Sequence, residues 1–370
     1  MKYYIIAGEA SGDLHGSNLI KEIRKIDTSA QVRCWGGDKM QAAGGELVKH
    51  YRDLAFMGFT EVLMNLRTIF RNLKFCKEDI TAYQPDTLIL IDYPGFNLRI
   101  AKWAREQGLK VIYYISPQVW AWKEGRVRMM KQCIDKMLVI LPFEKDYFKN
   151  KWNWDVEYVG HPLVEVIEAK QADKPEKPFA DKPIIALLPG SRKQEILKKL
   201  PIMLAVSPRF PDHQFIVAKA PGVEESFYDE LMKNYTNVSY VSNQTYSLLQ
   251  QAQAALVTSG TATLETALFG VPEVVCYKGS PISYEIAKRV IKVKYISLVN
   301  LIMDKLVVKE LIQHELTVDN LYRELNELLN SETRKAQLAR DYSELKRILS
   351  EGGHASHKAA LSIVHYLQGR

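Results

Sequence analysis

Residues 183–196, PIIALLPGSRKQEI, contain the pattern that decides the fold of this 370-residue chain. An apolar run ends at a proline–glycine turn and a helical pattern follows, which predicts a strand, a loop and a helix. Residues 3–26, YYIIAGEASGDLHGSNLIKEIRKI, show the same order near the N-terminus. The chain therefore begins the same kind of structural unit twice.

Short apolar runs alternate with helical patterns after both of these stretches. The runs are DTLILID, KVIYYIS and KMLVILP in the first half, and HQFIVAKAP, NVSYVS, AALVTSG and PEVVCY in the second. Strands that alternate with helices predict parallel sheets covered on both faces. We expect two doubly wound α/β halves, with ligands at the carboxyl ends of the strands and in a cleft between the halves.

A change of composition separates the two halves. Residues 170–183, KQADKPEKPFADKP, combine charge with three prolines, which is typical of an inter-domain linker. From about Leu321 the sequence becomes helical and highly charged. We predict an N-terminal domain (1–168), a linker (169–183), a C-terminal domain (184–342) and final helices (343–370).

The composition limits the binding partners and the cellular compartment that we expect for the protein. The net charge is +7, which suits a solvated basic surface, a phosphate-bearing substrate, an anionic membrane or nucleic acid, and does not choose among them. The four cysteines are far apart and form no Cys-x-x-Cys pair. Glu9 and Asp13 come too early for a signal peptide, and no apolar run is long enough to span a bilayer. We expect a cytoplasmic protein.

The loop after the first strand of the second half has the character of an anion site. Gly190 permits a tight turn, Ser191 is a candidate helix cap, and Arg192 projects from a helix start, where free N–H groups favour an anion. The alternative is a capped helix with a surface arginine.

Residues 255–272, ALVTSGTATLETALFGVP, follow the same logic. The loop Ser259–Gly260–Thr261 opens a helix and suits a diphosphate, while Glu265, one turn further on, suits ribose hydroxyls. The alternative is a capping box formed by Thr261 or its neighbour with the glutamate. Two such helix starts in one half are more specific than either alone.

Acidic residues occupy the corresponding places in the first half. Asp92 stands at the end of the apolar strand in LILIDYPGFN, residues 88–97, where it is either a functional carboxylate or a turn cap before Pro94. The first loop, residues 8–18, carries Glu9 and Ser11, which suit sugar hydroxyls or helix capping. No Asp-x-Asp motif occurs, and we expect neither a metal nor a cofactor.

Two aromatic or apolar stretches remain open to more than one interpretation. Residues 115–131 place Trp120 and Trp122 among four basic residues, which suits nucleic-acid binding, sugar stacking or core packing. Residues 57–75 form an apolar helical stripe with a basic row, which predicts either a core-facing helix or one that contacts lipid. We favour lipid contact, with candidate residues Met57, Phe59, Val62, Leu63, Leu66, Ile69 and Phe70.

Eight motifs occur in order between about Ile5 and Glu310 and together resemble the lipid-A-disaccharide synthase family: AGEASGD, MGFTEVL, SPQVWAWK, LPFEK, VGHPL, LLPGSRKQEI, SGTATLE and VNLI. The resemblance implies the two-domain glycosyltransferase B (GT-B) fold and an inverting hexosyltransferase. The implied donor is UDP-2,3-diacylglucosamine, and the implied acceptor is 2,3-diacylglucosamine 1-phosphate. The implied products are a β-1,6-linked disaccharide 1-phosphate and UDP.

The resemblance also implies roles for individual residues. Asp92 is expected to be the base that deprotonates the acceptor's 6-hydroxyl; many relatives carry a second aspartate where this chain has Gly95. Arg192 is expected to hold the diphosphate and stabilise the leaving group. The other implied UDP ligands are Ser259, Gly260, Thr261, Glu265 and Asn300, and the implied acceptor-side residues are Gly8, Glu9 and Ser11.

The family also implies partners and location. The helix at 57–75 is expected to meet acyl chains or the membrane, and its basic row, with residues 287–294, suits anionic headgroups. We therefore expect peripheral association with the cytoplasmic face of the inner membrane. A homodimer is plausible, the final helices are expected to return to the first domain, and no nucleic-acid partner is expected.

Two other functions compete with the glycosyltransferase. A UDP-sugar epimerase of the same fold would use a similar UDP pocket without a lipid-facing helix. A non-enzymatic nucleic-acid binder would show salt-sensitive binding to oligonucleotides and would tolerate loss of Asp92.

Overall fold

The computed structural model of the chain describes residues 1–54, 66–173, 177–280, 284, 293–351 and 353–369. The chain forms two compact units. Unit 1 comprises Met1–Pro162 and Leu349–Arg370, and unit 2 comprises Leu163–Ile348. Within the described ranges, no helix combines the length and the apolar composition that a bilayer-spanning segment requires.

Unit 1 contains a seven-stranded parallel sheet in the order β3-β2-β1-β4-β5-β6-β7. Its core is apolar because the sheet is covered on both faces; every residue of the strand Thr87–Ile91 is buried. The strands are β1 (Lys2–Ala7), β2 (Gln31–Gly36), β3 (Glu46–His50), β4 (Thr87–Ile91), β5 (Lys110–Tyr114), β6 (Lys136–Val139) and β7 (Glu157–Tyr158).

Helices cover this sheet on both faces. Six of those described precede the unit boundary: α1 (Ala10–Ile26), α2 (Asp38–Ala42), α3 (Leu66–Tyr83), α4 (Pro94–Glu106), α5 (Val127–Cys133) and α6 (Pro142–Trp152). The last helix of the chain also belongs to unit 1 and packs on α1. Its Ala359 and Ile363 are fully buried in one apolar cluster with Leu19 and Ile20 of α1.

Unit 2 contains a six-stranded parallel sheet in the order β10-β9-β8-β11-β12-β13. The strands are β8 (Ile184–Leu188), β9 (Gln214–Lys219), β10 (Val238–Ser242), β11 (Ala252–Thr258), β12 (Glu273–Tyr277) and β13 (Lys309–Ile312). The described helices from the unit boundary onward are α7 (Leu163–Gln171), α8 (Lys193–Ala205), α9 (Glu225–Met232), α10 (Thr245–Gln251), α11 (Thr261–Leu268), α12 (Leu298–Met303), α13 (Val318–Asn330), α14 (Glu332–Leu349) and α15 (Ala355–Gln368).

The two sheets share one topology. Numbered within its own unit, each sheet runs 3-2-1-4-5-6, the order of a doubly wound nucleotide-binding sheet, and unit 1 adds β7 at one edge. The predicted pair of doubly wound α/β halves is confirmed. The domain boundaries proposed from the sequence differ in position from the division into units, because α7 packs on α10 and α11 and so belongs to unit 2.

Candidate active site

Most of the predicted site residues lie at the topological switch points of the two sheets. In a doubly wound sheet, ligands bind beyond the carboxyl ends of the strands, where the strand order reverses. That place lies between β1 and β4 in unit 1 and between β8 and β11 in unit 2. Glu9 follows β1 and Asp92 follows β4, while Arg192 follows β8 and Ser259 follows β11.

The backbone around Asp92 is strained. Asp92 and Tyr93 have φ of 43° and 49°, and Ile115, beyond the end of β5, has φ of 67°. These left-handed conformations are costly for residues with a Cβ, above all for a β-branched one, and persist where surrounding contacts enforce them. The side chains of Asn97 and Tyr113 do so here, because they donate to the Asp92 carbonyl oxygen at 2.7 and 2.6 Å. The peptide that carries the candidate base is therefore held in one geometry.

The half-buried Asp92 carboxyl group has an unusual protonation equilibrium. Burial and the negative charge of Glu9 raise the pKa of Asp92 to about 6, although the backbone N–H of Tyr93 opposes the shift. The group is therefore still ionised at neutral pH, and it is a stronger base than an exposed aspartate. This combination suits proton abstraction from a hydroxyl group.

The predicted acceptor-side residues form the neighbouring loop. A Cβ on Gly8 would lie 2.3 Å from the ring of Tyr93, so the glycine lets the loop after β1 approach the loop after β4. Glu9 is half-buried and precedes α1 without a capping side-chain hydrogen bond, and Ser11 is exposed. Gly8 and Glu9 therefore lie in a loop that adjoins the loop of Asp92, and Ser11 lies in the first turn of α1.

Two polar residues near the start of α1, Asp13 and His15, are buried. The buried Asp13 carboxylate accepts from the backbone N–H groups of Gly37, Lys39 and Met40 at 2.7–3.2 Å and so fixes the start of α2. Burial lowers the pKa of His15 to about 4, so its imidazole is neutral at pH 7. The sequence pattern did not distinguish these buried positions from the exposed Ser11 that precedes them.

Trp120 is a half-buried side chain in the loop after β5, and hydrogen bonding fixes it. Its indole N–H donates to Glu144 at 3.2 Å, and its ring meets Phe143 edge-on with centroids 5.0 Å apart. Burial raises the pKa of Glu144 to about 8. Trp122 is 51% exposed, with the ammonium group of Lys123 over its ring. The core-packing alternative therefore does not hold for Trp122.

The predicted lipid-facing residues are only partly described. Met57, Phe59, Val62 and Leu63 lie outside the described residues, as does the side chain of Leu66. Ile69 packs against the core of unit 1, whereas Phe70 is 61% exposed. Ile69 also borders a cavity of about 200 Å³ beside the Asp92 loop, lined by Leu54, Ile69, Asn72, Tyr93, Gly95, Phe96 and Arg99.

Unit 2 has a larger cavity of about 350 Å³ at its switch point. This volume falls within the range of about 300–1,000 Å³ that is usual for small-molecule sites. Both predicted loops contribute to it, with Gly190 and Ser191 on one side and Ser259 and Thr261 on the other. The remaining lining residues are Leu188, Glu195, Ala218, Lys219, Ala220, Pro221, Thr245, Thr258, Ala262 and Glu265.

The helix starts at this cavity lack capping side chains. The residue before α8 is Arg192 and the residue before α11 is Gly260, and neither helix start has a capping side-chain hydrogen bond among the described residues. The capping roles considered for Ser191 and for Thr261 with Glu265 are therefore wrong. Because the first N–H groups of a helix need acceptors and carry partial positive charge, both starts favour an anion.

Arg192 and Glu265 each have a polar partner within unit 2. The exposed Arg192 guanidinium lies 3.3 Å from Glu195, a distance at which an exposed pair is weak. Glu265 Oε1 accepts from the Tyr246 hydroxyl at 2.8 Å, which orients the carboxyl group. Burial raises the pKa of Glu265, although that hydrogen bond opposes the shift. Gly260, with φ of 116°, makes the turn between Ser259 and α11 possible.

Asn300 is not among the residues that line the cavity. Its fully buried amide donates to Val308 O and Glu310 Oε1, both at 2.9 Å, and accepts from the N–H groups of Val307 and Val308. These bonds tie α12 to β13. UDP contact by Asn300 remains a prediction, and this geometry favours an indirect role.

Thr258 and Lys199 are two polar residues of this region that the sequence patterns did not single out, and of these two only Thr258 lines the cavity. Thr258, the last residue of β11, lines the cavity, and the buried ammonium group of Lys199 donates to its hydroxyl oxygen. The sequence does contain a signal for Lys199. It shares the spacing of the buried Ile196, Leu200 and Met203 on α8, so the helical period places it on the inner face.

Solved structures similar to this chain identify its class. UDP-GlcNAc 2-epimerase from Neisseria meningitidis superposes with a TM-score of 0.68 at 13% identity, covering 100% of both chains. The glycotransferase of kitacinnamycin superposes with a TM-score of 0.67 at 17% identity, covering 99% of both chains. The chain is an α/β protein with the two-domain GT-B fold.

Sequence relatives identify the family within that class. The family model described as lipid-A-disaccharide synthetase matches residues 3–364. The curated lipid-A-disaccharide synthase of Syntrophus aciditrophicus (strain SB) is 38% identical over 97% of this chain and 96% of its own length. That of Geobacter metallireducens is 37% identical over 96% and 95%. The chain belongs to the lipid-A-disaccharide synthetase family.

Proposed function

We propose that the chain transfers 2,3-diacylglucosamine from UDP-2,3-diacylglucosamine to the 6-hydroxyl of 2,3-diacylglucosamine 1-phosphate. The products are the β-1,6-linked lipid A disaccharide 1-phosphate and UDP. The observation that carries the proposal is the family match over residues 3–364, which includes the switch points of both sheets. Membership of this family makes the chain a hexosyltransferase of lipid A synthesis.

Asp92 is the proposed general base. The O–H proton of the acceptor's 6-hydroxyl moves to the carboxylate as the oxygen attacks the anomeric carbon, and the bond to the UDP oxygen breaks with inversion. A pKa of about 6 supports this role, because the group is ionised at pH 7 yet still basic. The fixed peptide of Asp92 also supports it, since general-base catalysis depends on a controlled geometry. Gly8, Glu9 and Ser11 are proposed to bind the acceptor sugar beside the base.

The cavity of unit 2 is the proposed UDP site. The two uncapped helix starts and Arg192 would bind the diphosphate and stabilise the negative charge that develops on the departing UDP. Ser259, Gly260 and Thr261 supply hydroxyl and backbone donors to the phosphates. Glu265 is proposed to accept from the ribose through the carboxylate oxygen that Tyr246 does not occupy.

Lipid contact is proposed at α3 and the cavity beside it. The exposed Phe70 lies among the exposed basic residues Arg67, Arg71 and Lys74, a combination that suits an anionic membrane surface. The apolar cavity that Ile69 borders suits part of an acyl chain. Peripheral association with the inner membrane then predicts flotation with vesicles rich in phosphatidylglycerol, and weaker flotation after Phe70→Ser.

Homodimer formation also remains a proposal, which sedimentation of the full chain tests.

The first experiment measures disaccharide formation from the two acylated sugars in detergent micelles. The expected result is a β-1,6 disaccharide 1-phosphate and one UDP for each disaccharide. A second reaction contains UDP-GlcNAc alone and measures 2-epimerisation. Epimer without disaccharide, from protein whose circular dichroism shows it to be folded, would contradict the transferase and support the epimerase.

A further inference from the structure

Lys199 on α8 is a buried lysine. It lies on the inner face of α8 and is only 3% exposed, whereas its neighbour Lys198 is exposed. A lysine is almost never fully buried unless it is paired, because its ammonium group loses hydration. The position therefore needs a reason beyond helix packing.

The contacts of Lys199 lie under both loops of the unit 2 cavity. Its ammonium group donates to the hydroxyl oxygen of Thr258, which lines the cavity at the end of β11. The same nitrogen lies 3.5 Å from the position that a Cβ on Gly190 would occupy, in the loop after β8. The Lys199 ammonium group thus lies close both to the end of β11 and to the loop after β8.

No carboxylate in the described part of the chain lies within ion-pair distance of Lys199. Glu195, one turn earlier on the same helix, lies near enough for its negative charge to oppose the effect of burial on the Lys199 pKa, and its Oε1 lies 3.3 Å from Arg192. Buried charges are normally compensated by an opposite charge. The described residues therefore compensate Lys199 only through a carboxylate beyond ion-pair distance, which Lys199 shares with Arg192.

We propose that Lys199 is a further cation of the diphosphate subsite, and that the nucleotide's phosphates supply a direct counter-ion in addition to the more distant Glu195. Because Thr258 accepts a hydrogen bond from Lys199, its own O–H is free to donate to a phosphate oxygen. Lys199 thus acts directly by charge and also through Thr258. This proposal rests on the proposed function for its ligand class, a nucleoside diphosphate.

The electrostatics of Lys199 give the proposal a distinctive signature. Burial lowers the pKa of Lys199, and an adjacent phosphate would raise it again. Diphosphate binding is therefore expected to be accompanied by proton uptake when the pH is near the pKa that Lys199 has in the unliganded protein. A lysine with only a structural role would not couple ligand binding to proton uptake in this way.

The test is isothermal titration of the full chain with UDP and with uridine, in buffers of different ionisation enthalpy. The variants are Lys199→Met and, as a matched control, Lys198→Met, which removes the same charge from the exposed neighbour. We expect Lys199→Met to weaken UDP binding by about tenfold or more and to abolish the linked proton uptake. Binding of uridine by Lys199→Met, and of both ligands by Lys198→Met, should change by less than about twofold.

Two other probes make the result decisive. Thr258→Val leaves the lysine in place, and we expect it to weaken UDP but not uridine. Inorganic pyrophosphate replaces UDP if the wild type binds no uridine compound. Pyrophosphate binding that is lost in Lys199→Met would then support the anion subsite while contradicting the proposed nucleotide.

Several outcomes would overturn the proposal. These are unchanged UDP affinity in folded Lys199→Met, equal losses for UDP and uridine, and a wild type that binds neither UDP nor pyrophosphate. If Lys199→Met does not fold, Lys199→Gln takes its place, because its amide retains a hydrogen-bond donor to Thr258. A Lys199→Gln variant that binds UDP as tightly as the wild type would contradict a role for the charge.

Discussion

The switch points of unit 1 and unit 2 have the same topology and different chemistry. In unit 1 the loops after β1 and β4 adjoin each other, and in unit 2 the loops after β8 and β11 line one cavity. Unit 1 places two acids there, Glu9 and Asp92, on a strained backbone. Unit 2 places uncapped helix starts, Arg192 and the buried Lys199. The strand order thus determines where a ligand binds, while the loop residues determine which step of a reaction each unit serves.

The largest effect should come from removing the base of unit 1. Asp92→Asn keeps the size of the side chain but cannot accept the proton, so we expect the turnover rate to fall by about 10²–10⁴-fold. UDP affinity should change by less than about twofold, because the proposed UDP cavity is formed by residues of unit 2. Single-turnover assays and UDP titration measure the two quantities. Asp155→Asn, which alters an exposed acid of unit 1, is the control. Equal losses of turnover rate and UDP affinity would contradict the proposal that unit 1 supplies the base and unit 2 binds UDP.

A smaller effect should come from the exposed cation of unit 2. Arg192→Gln removes a charged donor to the diphosphate, and we expect UDP affinity to fall by about ten- to a hundredfold. Lys193→Gln, at the next position, removes a lysine already paired with Glu224 and should have little effect. Titration of both variants with UDP separates a specific contact from a general loss of positive charge. Similar losses in the two variants would contradict a direct role for Arg192.

The pH profile should sharpen the description of the acidic site. With the pKa of Asp92 at about 6, we expect kcat/KM to fall about tenfold per pH unit below that value, because the protonated group is no longer a base. Glu9→Gln removes a negative charge that raises this pKa, so the acid limb should move to lower pH. The measurement is kcat/KM from pH 4.5 to 8. A limb that moves to higher pH, or that persists in the residual activity of Asp92→Asn, would assign it to another group.

The smallest effect on catalysis should come from a buried acid of unit 2 outside the cavity. Glu273 on β12 is buried with no partner for either carboxylate oxygen in the described part of the chain, and burial raises its pKa. Between the unfolded and folded pKa values the unfolded chain releases a proton that the folded chain keeps. The free energy of unfolding of unit 2 should therefore fall as pH rises above about 4.5.

The Glu273→Gln variant tests this pH dependence, because glutamine does not titrate. We expect a flatter dependence of stability on pH than in the wild type, measured by urea unfolding at pH 5 and pH 7 with far-UV circular dichroism. All six tryptophans lie before residue 155, so their fluorescence follows unit 1 and provides an internal control. Identical pH dependences for wild type and variant would contradict the assignment to Glu273.

The sequence predicted the architecture because the strands of a parallel sheet are buried on both faces. Runs such as LILI and IIALL are continuous and apolar, and turn residues follow each of them. The switch-point residues were predictable for the same reason, since they come directly after those runs. Lys199 could also have been found, because it shares the helical spacing of Ile196 and Leu200.

Other features depend on side-chain directions that sequence spacing does not contain. Ser191 precedes a helix, yet it does not cap it, and Asp13 lies within one helix but fixes the start of another. Asn300 is a polar residue in a distinctive motif, yet its amide is fully occupied inside unit 2. Capping and amide bonding are decided by the packing of distant segments, so a local pattern leaves them open.

The return of the chain to unit 1 at Leu349 has a consequence for biosynthesis. Unit 2 is one continuous segment, whereas unit 1 needs α15 to cover the apolar face of α1. A ribosome makes α15 after all of unit 2, so unit 2 can complete its fold while Leu19, Ile20 and Ile23 of α1 still lack that cover. Unit 1, although its sequence begins first, can bury this face of α1 only after unit 2 has been synthesised.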